Sequence, residues 1–466
     1  MVRRDSIREL AWWAIPLFAL LYPLLTGRTH RDANEAAFYG LMAAGGAASV
    51  SLMFSMWTSP MGRHGRLLTV CGGLAVAYGV GLLLVTYGPR VDILLMALTW
   101  AGVIFCLARW REMEPACGRF VLIWLLAYVI WVLANCLLTV HQHVALAGSL
   151  YRRTGLASFG ACVALFLVVV RFCRTPRRRQ IVIHALVAGL TATALVASGQ
   201  FFMEGTGWAG WFRDLRLDPR PMGTMGHPNW LGTGLCLGFP LALAGYFGGG
   251  KTGIRWLGLA AALIQFAGLL VCQTRGAWLA AAAGLVVVFW SERKKKGRWV
   301  TLLLGLLAVA AVLLPWRDGE ISRRMMSFGQ EVDFVMAGHD GAGTGRFGFW
   351  KYAINQLPGT LILGTGLDAF DLAGAGAPID KAHSIYFEMV VTTGLPGLIL
   401  GLGFFAACFW PKASADRRFP AEMARWGFRL VWVVYLIQGI FIHDVIHAWP
   451  LFWIAAATAS LQEEAS

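Results

Sequence analysis

Long apolar runs alternate with short polar turns along almost the whole of this chain. The runs fall at roughly 11–26, 36–57, 67–87, 91–109, 119–141, 156–172, 180–203, 228–247, 255–272, 276–291, 299–315, 384–409, 425–442 and 446–461. Most approach the roughly 20 apolar residues that a helix needs to cross a bilayer. In lipid every backbone polar group must be satisfied inside the structure, so such runs read as helices. The pattern predicts an all-α polytopic membrane protein with about 12–14 transmembrane helices, two or so of the runs being interfacial or re-entrant. One stretch breaks the rhythm, the polar island Trp316–Lys381. Four regions follow: an N-terminal transmembrane bundle at 1–203, a transmembrane core with a glycine-rich loop and an arginine turn at 204–315, one large polar loop at 316–383, and C-terminal helices at 384–466. The run Ala11–Leu25 follows Arg3, Arg4 and Arg8 as a signal peptide would. No small-residue cleavage site precedes Arg28, so it is expected to be a retained first span.

Composition agrees. The chain is 58% hydrophobic and 14% charged, against about 25% charged residues in a globular domain. Its net charge of +15 has a bland origin in alternate turns. Arg3, Arg4 and Arg8, then Arg63 and Arg66, Arg109, Arg111 and Arg119, Arg174 and Arg177 to Arg179, Arg293 to Lys296 and Arg298, and Lys412, Arg417 and Arg418 all fall on one face if there are fourteen spans. The positive-inside rule makes that face, and both termini, cytoplasmic. No aromatic and basic platform for single strands is visible, so nucleic-acid binding is not expected. The other face receives Arg28, Arg31, Arg90, Arg152, Arg153, Arg213, Arg216, Arg220 and Arg275. Cations held there against the topological bias call for an anionic ligand. The nine cysteines are scattered with no CxxC, which predicts small core residues rather than a metal knuckle or disulfide framework. Small residues at Leu41–Ala48 and Leu279–Leu285 predict close helix contacts.

Three constellations carry candidate chemistry. The first is Met222–Gly232, whose Gly223 and Gly226 permit sharp turns. Its Pro228 suits a first helical turn, with amides able to bind an anion and Asn229 beside them. The second is Gln273–Trp278, where Arg275 sits in a short turn between apolar runs. The third is the island: Gly343–Arg346, Trp350, Gly364–Phe370, and Ala382–Tyr386, in which His383 opens an apolar helix. An imidazole with a reference pKa near 6.5 is a suitable general base at neutral pH. His141 and His143, and His443 and His447 with Asp444, lie at predicted helix ends. Two histidines and an aspartate with no further cluster predict no metal site.

In this order these motifs resemble the O-antigen ligase and polymerase superfamily of bacterial envelope glycan assembly. The resemblance rests on Gly223–Gly232, Thr274–Ala277, Gly345–Trp350, Gly364–Gly366, and His383–Tyr386 running to Gly394–Gly397, within about residues 200–400. His227 stands where the family pattern has asparagine, and Thr274 where it has serine; both keep polar capacity. The resemblance implies a GT-C-like glycosyltransferase of the bacterial inner membrane with one large periplasmic loop. It would move a glycan from undecaprenyl pyrophosphate to a lipid A core sugar on the periplasmic face, in one inverting displacement and with no cofactor, metal or nucleotide. Under this implication His383 is the base, with Asp368 and Asp380 as alternatives. Arg275 is the first choice for the pyrophosphate, with Arg216, Arg220 and Arg346, and Asn229 and Tyr386 as further substrate contacts. A polymerase, a ligase acting on a protein acceptor, and, from another class, a transporter or flippase for an anionic lipid are the competing expectations. Few charges lie mid-span, which disfavours the last.

Overall fold

The computed structural model describes residues 2–26, 30–56, scattered positions between 66 and 84, 90–203, 219–248, 251–337, 345–372, 379–410 and 426–462. Arg28, Arg63, Arg213, Arg216, Gly343, Thr344, Lys412, Arg417, Arg418 and parts of the run at 67–87 lie outside the described residues. Among the described residues every regular element is helical. In chain order they are α1 (Val2–Leu21), α2 (His30–Met56), α3 (Val91–Leu107), α4 (Trp110–Cys117), α5 (Arg119–Leu138), α6 (Gln142–Ala147), α7 (Leu156–Phe172), α8 (Pro176–Phe202), α9 (Pro228–Phe247), α10 (Thr252–Val271), α11 (Arg275–Glu292), α12 (Lys296–Leu313), α13 (Trp316–Met336), α14 (Arg346–Thr360), α15 (Ile385–Phe409), α16 (Phe428–Gly439) and α17 (Trp449–Ser460).

Seven of these, α2, α5, α8, α9, α10, α12 and α15, are long and apolar enough to cross a bilayer. The pair α3 and α4, bent by 76° at its break, makes an eighth if counted as one span. Trp12–Leu24, α7 and α16 are shorter apolar helices. The protein is an all-α polytopic membrane protein. α7 and α9 are buried along nearly their whole length and form its centre. Val300, Leu303, Leu304, Leu307 and Val312 of α12 are exposed, the side a helix offers to lipid. The small-residue stretches sit where helices close up: a Cβ added at Gly45 would lie 2.7 Å from Ala161 on α7, and one at Gly284 would lie 2.9 Å from Val434 on α16.

The ends of the bundle differ in chemistry. At one end Arg174 donates to the Glu112 carbonyl (3.2 Å), Arg179 to the Leu461 carbonyl (3.1 Å), Lys295 to the Phe247 carbonyl (2.6 Å) and Trp426 to Glu292 (2.7 Å). The basic turns after α7 and α11 therefore gather with the ends of α4, α9 and α17. The starts of α7, α9, α11 and α15 and the end of α16 meet at the other end.

The polar island is not an open loop. It holds α13 and α14, and then Leu361–Gly366 runs back against α15. There α15 is broken at Gly394 (φ 71°, ψ 172°). The Leu395 amide donates to the Leu361 carbonyl (2.7 Å), and the Thr365 and Gly366 amides to Val391 (2.9 Å) and Thr392 (2.8 Å). Side chains of α5 take up what remains. Asn135 donates to the Thr392 carbonyl (3.1 Å) and to Leu363, Trp131 to Thr393 (2.7 Å), and Thr139 to Thr365. Irregular backbone within a membrane bundle needs such internal partners. A Cβ at Gly394 would lie 1.9 Å from the Ile362 carbonyl oxygen. Gly394→Ala is expected to cost at least about 2 kcal/mol, through positive φ and this clash. Thermal unfolding in detergent measures it; a variant as stable as the parent would show that the break can slide.

Candidate active site

The site is built at the end of the bundle away from the basic turns. His227 caps α9, its Nδ1 accepting the Asn229 amide (3.1 Å), and Pro228 occupies the first helical turn. Thr274 Oγ1 reaches the Pro228 carbonyl (3.2 Å) and the Asn229 amide oxygen (3.3 Å), so the glycine-rich loop and the arginine turn are joined. Arg275 begins α11 and donates to Ser327 of α13. Arg220 lies within electrostatic reach of Cys272, just before that turn. Gly276 packs so closely that a Cβ there would lie 2.8 Å from Phe441 Cβ. The Phe441 carbonyl in turn accepts from Arg346 Nε (3.0 Å). Gly345 caps α14 in the left-handed region (φ 82°), which is why a glycine precedes this arginine. The segment between α16 and α17 is thus the node on which the arginine turn and the Gly-Arg element converge.

His383 stands at the same node. It precedes Ser384, the N-cap of α15, and has a left-handed backbone (φ 49°). Such a conformation is strained for a residue with a Cβ and persists only where neighbours impose it. Here a buried clamp imposes it. Lys381 Nζ donates to Asp368 (2.7 Å) and to Glu388 (2.8 Å), and Glu388 also accepts the Ala382 amide (3.0 Å). Asp368 further accepts the Ser149 amide (2.6 Å), the Thr154 amide (3.0 Å) and the Thr154 hydroxyl (2.8 Å). The clamp therefore ties the His383 turn to the loop before α7. From that loop Arg152 pairs with Asp380 and lies 5.8 Å from the Trp230 ring.

The His383 ring stacks on Phe349 (centroids 5.4 Å, 27°) and meets His443 edge to face (5.2 Å, 73°). Burial, then the charges of Arg346 and Arg152, push its pKa down to about 4, against a smaller opposing pull from Asp380. His383 is therefore neutral at pH 7 and has a lone pair to offer. For Asp368, burial acts upward, but Lys381 and the surrounding donors outweigh it and hold the carboxyl below its ordinary value. A carboxylate so fully engaged has no room for a substrate proton. Among the described residues no group of three or more His, Cys, Asp or Glu side chains is arranged to hold a metal ion.

Residues 260–402 match the family model described as O-antigen ligase. Over that stretch the chain is similar to the O-antigen ligase and polymerase superfamily. No curated protein sequence matches the chain significantly. Members of this superfamily are glycosyltransferase-type ligases and polymerases, and the matched stretch spans Arg275, Arg346, His383 and Tyr386. Structure adds residues from outside it: His227 and Asn229, Arg152, and His443.

The sequence-predicted residues fare differently. His383, Arg346 and Arg152 come together; Asn229 and Arg275 are joined through Thr274. Tyr386 donates its hydroxyl to the Leu436 carbonyl (2.8 Å) and braces α15 against α16. Gly364 and Gly366 serve close packing, a Cβ at Gly364 lying 2.4 Å from the Thr392 carbonyl. Arg216 is outside the described residues. Sequence reasoning set His443 aside as a weak metal ligand and missed Lys381 and Glu388. Lys381 was visible only as a lysine two residues before His383, and nothing in its spacing marked it as buried.

Proposed function

We propose that the chain is an O-antigen ligase. It transfers a polysaccharide from undecaprenyl pyrophosphate to a sugar hydroxyl of lipid A core, at the periplasmic face of the bacterial inner membrane. The observation that carries this reading is a neutral, half-buried His383 beside Arg346 and Arg152, at the bundle end opposite the basic turns. By the positive-inside rule that end is periplasmic. The acceptor oxygen attacks the anomeric carbon from the face opposite the pyrophosphate, its proton passes to His383, and the carbon–oxygen bond to pyrophosphate breaks with inversion. Undecaprenyl pyrophosphate leaves with the bonding pair. Pyrophosphate is already a good leaving group, and its charge suits the planar fork of arginine. Arg275 holds it, with Arg220, Arg346 and Arg216 adding positive charge. Asn229 and Tyr386, whose oxygen keeps acceptor capacity, supply polar contacts to the glycan.

Purified protein in liposomes with undecaprenyl-pyrophosphate glycan and rough lipopolysaccharide, with EDTA and without nucleotide, tests this. A lipopolysaccharide ladder supports the ligase. Longer lipid-linked chains in its place would make the protein a polymerase, and movement of the donor without transfer would make it a lipid transporter. Arg275→Ala is expected to lower kcat/KM for the donor by about 10- to 100-fold, the worth of one hydrogen bond to a charged group. Lysine is expected to recover little of it, because a point charge cannot replace the fork. An unchanged kcat/KM in Arg275→Ala would remove it from the pyrophosphate site.

A further inference from the structure

Two imidazoles meet at the centre of the site, and their nitrogens are poorly provided for. His443 is 2% exposed. Among the described residues its Nδ1 and Nε2 have no hydrogen-bond partner, and neither has the buried Nδ1 of His383. Buried polar atoms left in this state are costly and rare, so each calls for an explanation. Every carboxylate near the pair is engaged elsewhere: Asp368 and Glu388 by Lys381, Asp380 by Arg152, and Asp444 by the Tyr435 hydroxyl. The other groups acting on His443 are Arg152, Lys381 and His227, none of them an anion. As the rings stand no hydrogen bond joins them, and each offers the other a candidate partner. Their centroids are 5.2 Å apart, a separation that an N–H···N bond of about 2.9–3.0 Å between ring nitrogens can span. Which ring atoms face one another is decided by the hydrogen-bond network, because a half-turn about Cβ–Cγ exchanges carbon and nitrogen.

We propose that His443 is the positioning residue of the base: it accepts the Nδ1–H of His383 and so holds the Nε2 lone pair toward the acceptor hydroxyl. The inference rests on the general-base reading of His383. Burial, then neighbouring positive charge, keep His443 neutral, so it has a lone pair with which to accept. A base oriented by a third group is the usual arrangement in such sites. A neutral partner selects the tautomer without setting a negative charge beside a pyrophosphate, which a carboxylate would repel.

Full-length protein in lipid nanodiscs, labelled with ¹⁵N-histidine, reports the tautomer directly. It has ten histidines, and a difference spectrum against His383→Gln assigns the one that matters. The expected result is His383 protonated at Nδ1 in the wild type and shifted toward the Nε2–H tautomer in His443→Phe. In the liposome assay His443→Phe, which keeps a ring but loses both nitrogens, is expected to lower kcat by about 10- to 100-fold, as loss of an orienting partner does elsewhere. Donor KM stays within about twofold, since donor contacts are untouched. His443→Gln, whose amide oxygen can accept the same proton, is expected to recover most of kcat. Wild-type His383 protonated at Nε2, or His443→Phe with wild-type kcat, would overturn the proposal. If His443→Phe does not fold, the wild-type tautomer decides alone. If His383→Ala still transfers glycan, the base reading falls while the tautomer still tests the pairing.

Discussion

Replacing His383 with alanine is expected to lower the turnover of glycan transfer by about 10²- to 10⁴-fold, the range that a positioned general base supplies. Donor binding is expected to change little, because in the proposed reaction the charge for pyrophosphate lies on the arginines. The expectation has a pH signature. With its pKa lowered to about 4 by burial and then Arg346 and Arg152, His383 is unprotonated throughout the neutral range. Activity is present above that value and is lost as pH falls through it, so the acid limb of kcat/KM lies far below the ordinary histidine range. Bound pyrophosphate places negative charge beside the same arginines, which favours the protonated imidazole. The acid limb of kcat, which reports the complex, therefore lies above that of kcat/KM. Paired pH profiles of wild type and His383→Ala check both points. Transfer surviving in His383→Ala would direct attention to Asp380, since Asp368 is fully engaged by Lys381 and the loop before α7.

The second large effect is on stability. Lys381→Met leaves the Asp368 and Glu388 carboxylates buried without their shared cation. Breaking a buried ion pair by removing one partner costs about 3–5 kcal/mol. Unfolding midpoints in detergent should fall accordingly, and whatever protein remains folded should transfer glycan poorly, because the clamp holds the Ala382 amide and with it the strained backbone of His383. Removing all three charges together, as Lys381→Met with Asp368→Asn and Glu388→Gln, is expected to restore much of the stability, since an uncharged cluster needs no counterion. The triple variant should regain less activity than stability, because the neutral amide of Glu388→Gln grips the Ala382 N–H less firmly than a carboxylate does. Wild-type stability in the single variant would mean that Lys381 is not the counterion of the two carboxylates.

Much of this protein is legible in one dimension. Helices such as α5, α9, α11 and α15 begin and end within a few residues of the apolar runs at 119–141, 228–247, 276–291 and 384–409. The reason is that lipid leaves the backbone no alternative to satisfying itself locally. Helices that cross a layer must alternate ends, which is why the sequence reading could set the basic turns at Arg174–Arg179 and Arg293–Lys296 apart from Arg152 and Arg275. The glycine-flanked motifs around Arg275, Arg346 and His383 are local as well: a left-handed cap at Gly345 or a proline at the start of α9 is a property of a few consecutive residues.

What the sequence could not supply is who meets whom. Asp368 joins Lys381 and the amides of the 149–154 loop, and Phe441 brings the arginine turn and the Gly-Arg element together. His443, unremarkable in its own segment, touches His383 sixty residues earlier in the chain. These contacts arise from packing between helices that lie far apart in sequence, and no periodicity encodes them. The same holds for charge. Lys381 and Arg152 look alike on the page, yet one is sealed between two buried carboxylates and the other pairs with the exposed Asp380, within electrostatic reach of His383. The sequence by itself determined the membrane bundle and the residue types available in its polar turns. The tertiary structure alone decided which of those residues are committed to holding the fold and which gather around His383, because burial and hydrogen-bond partners exist only once the helices have packed.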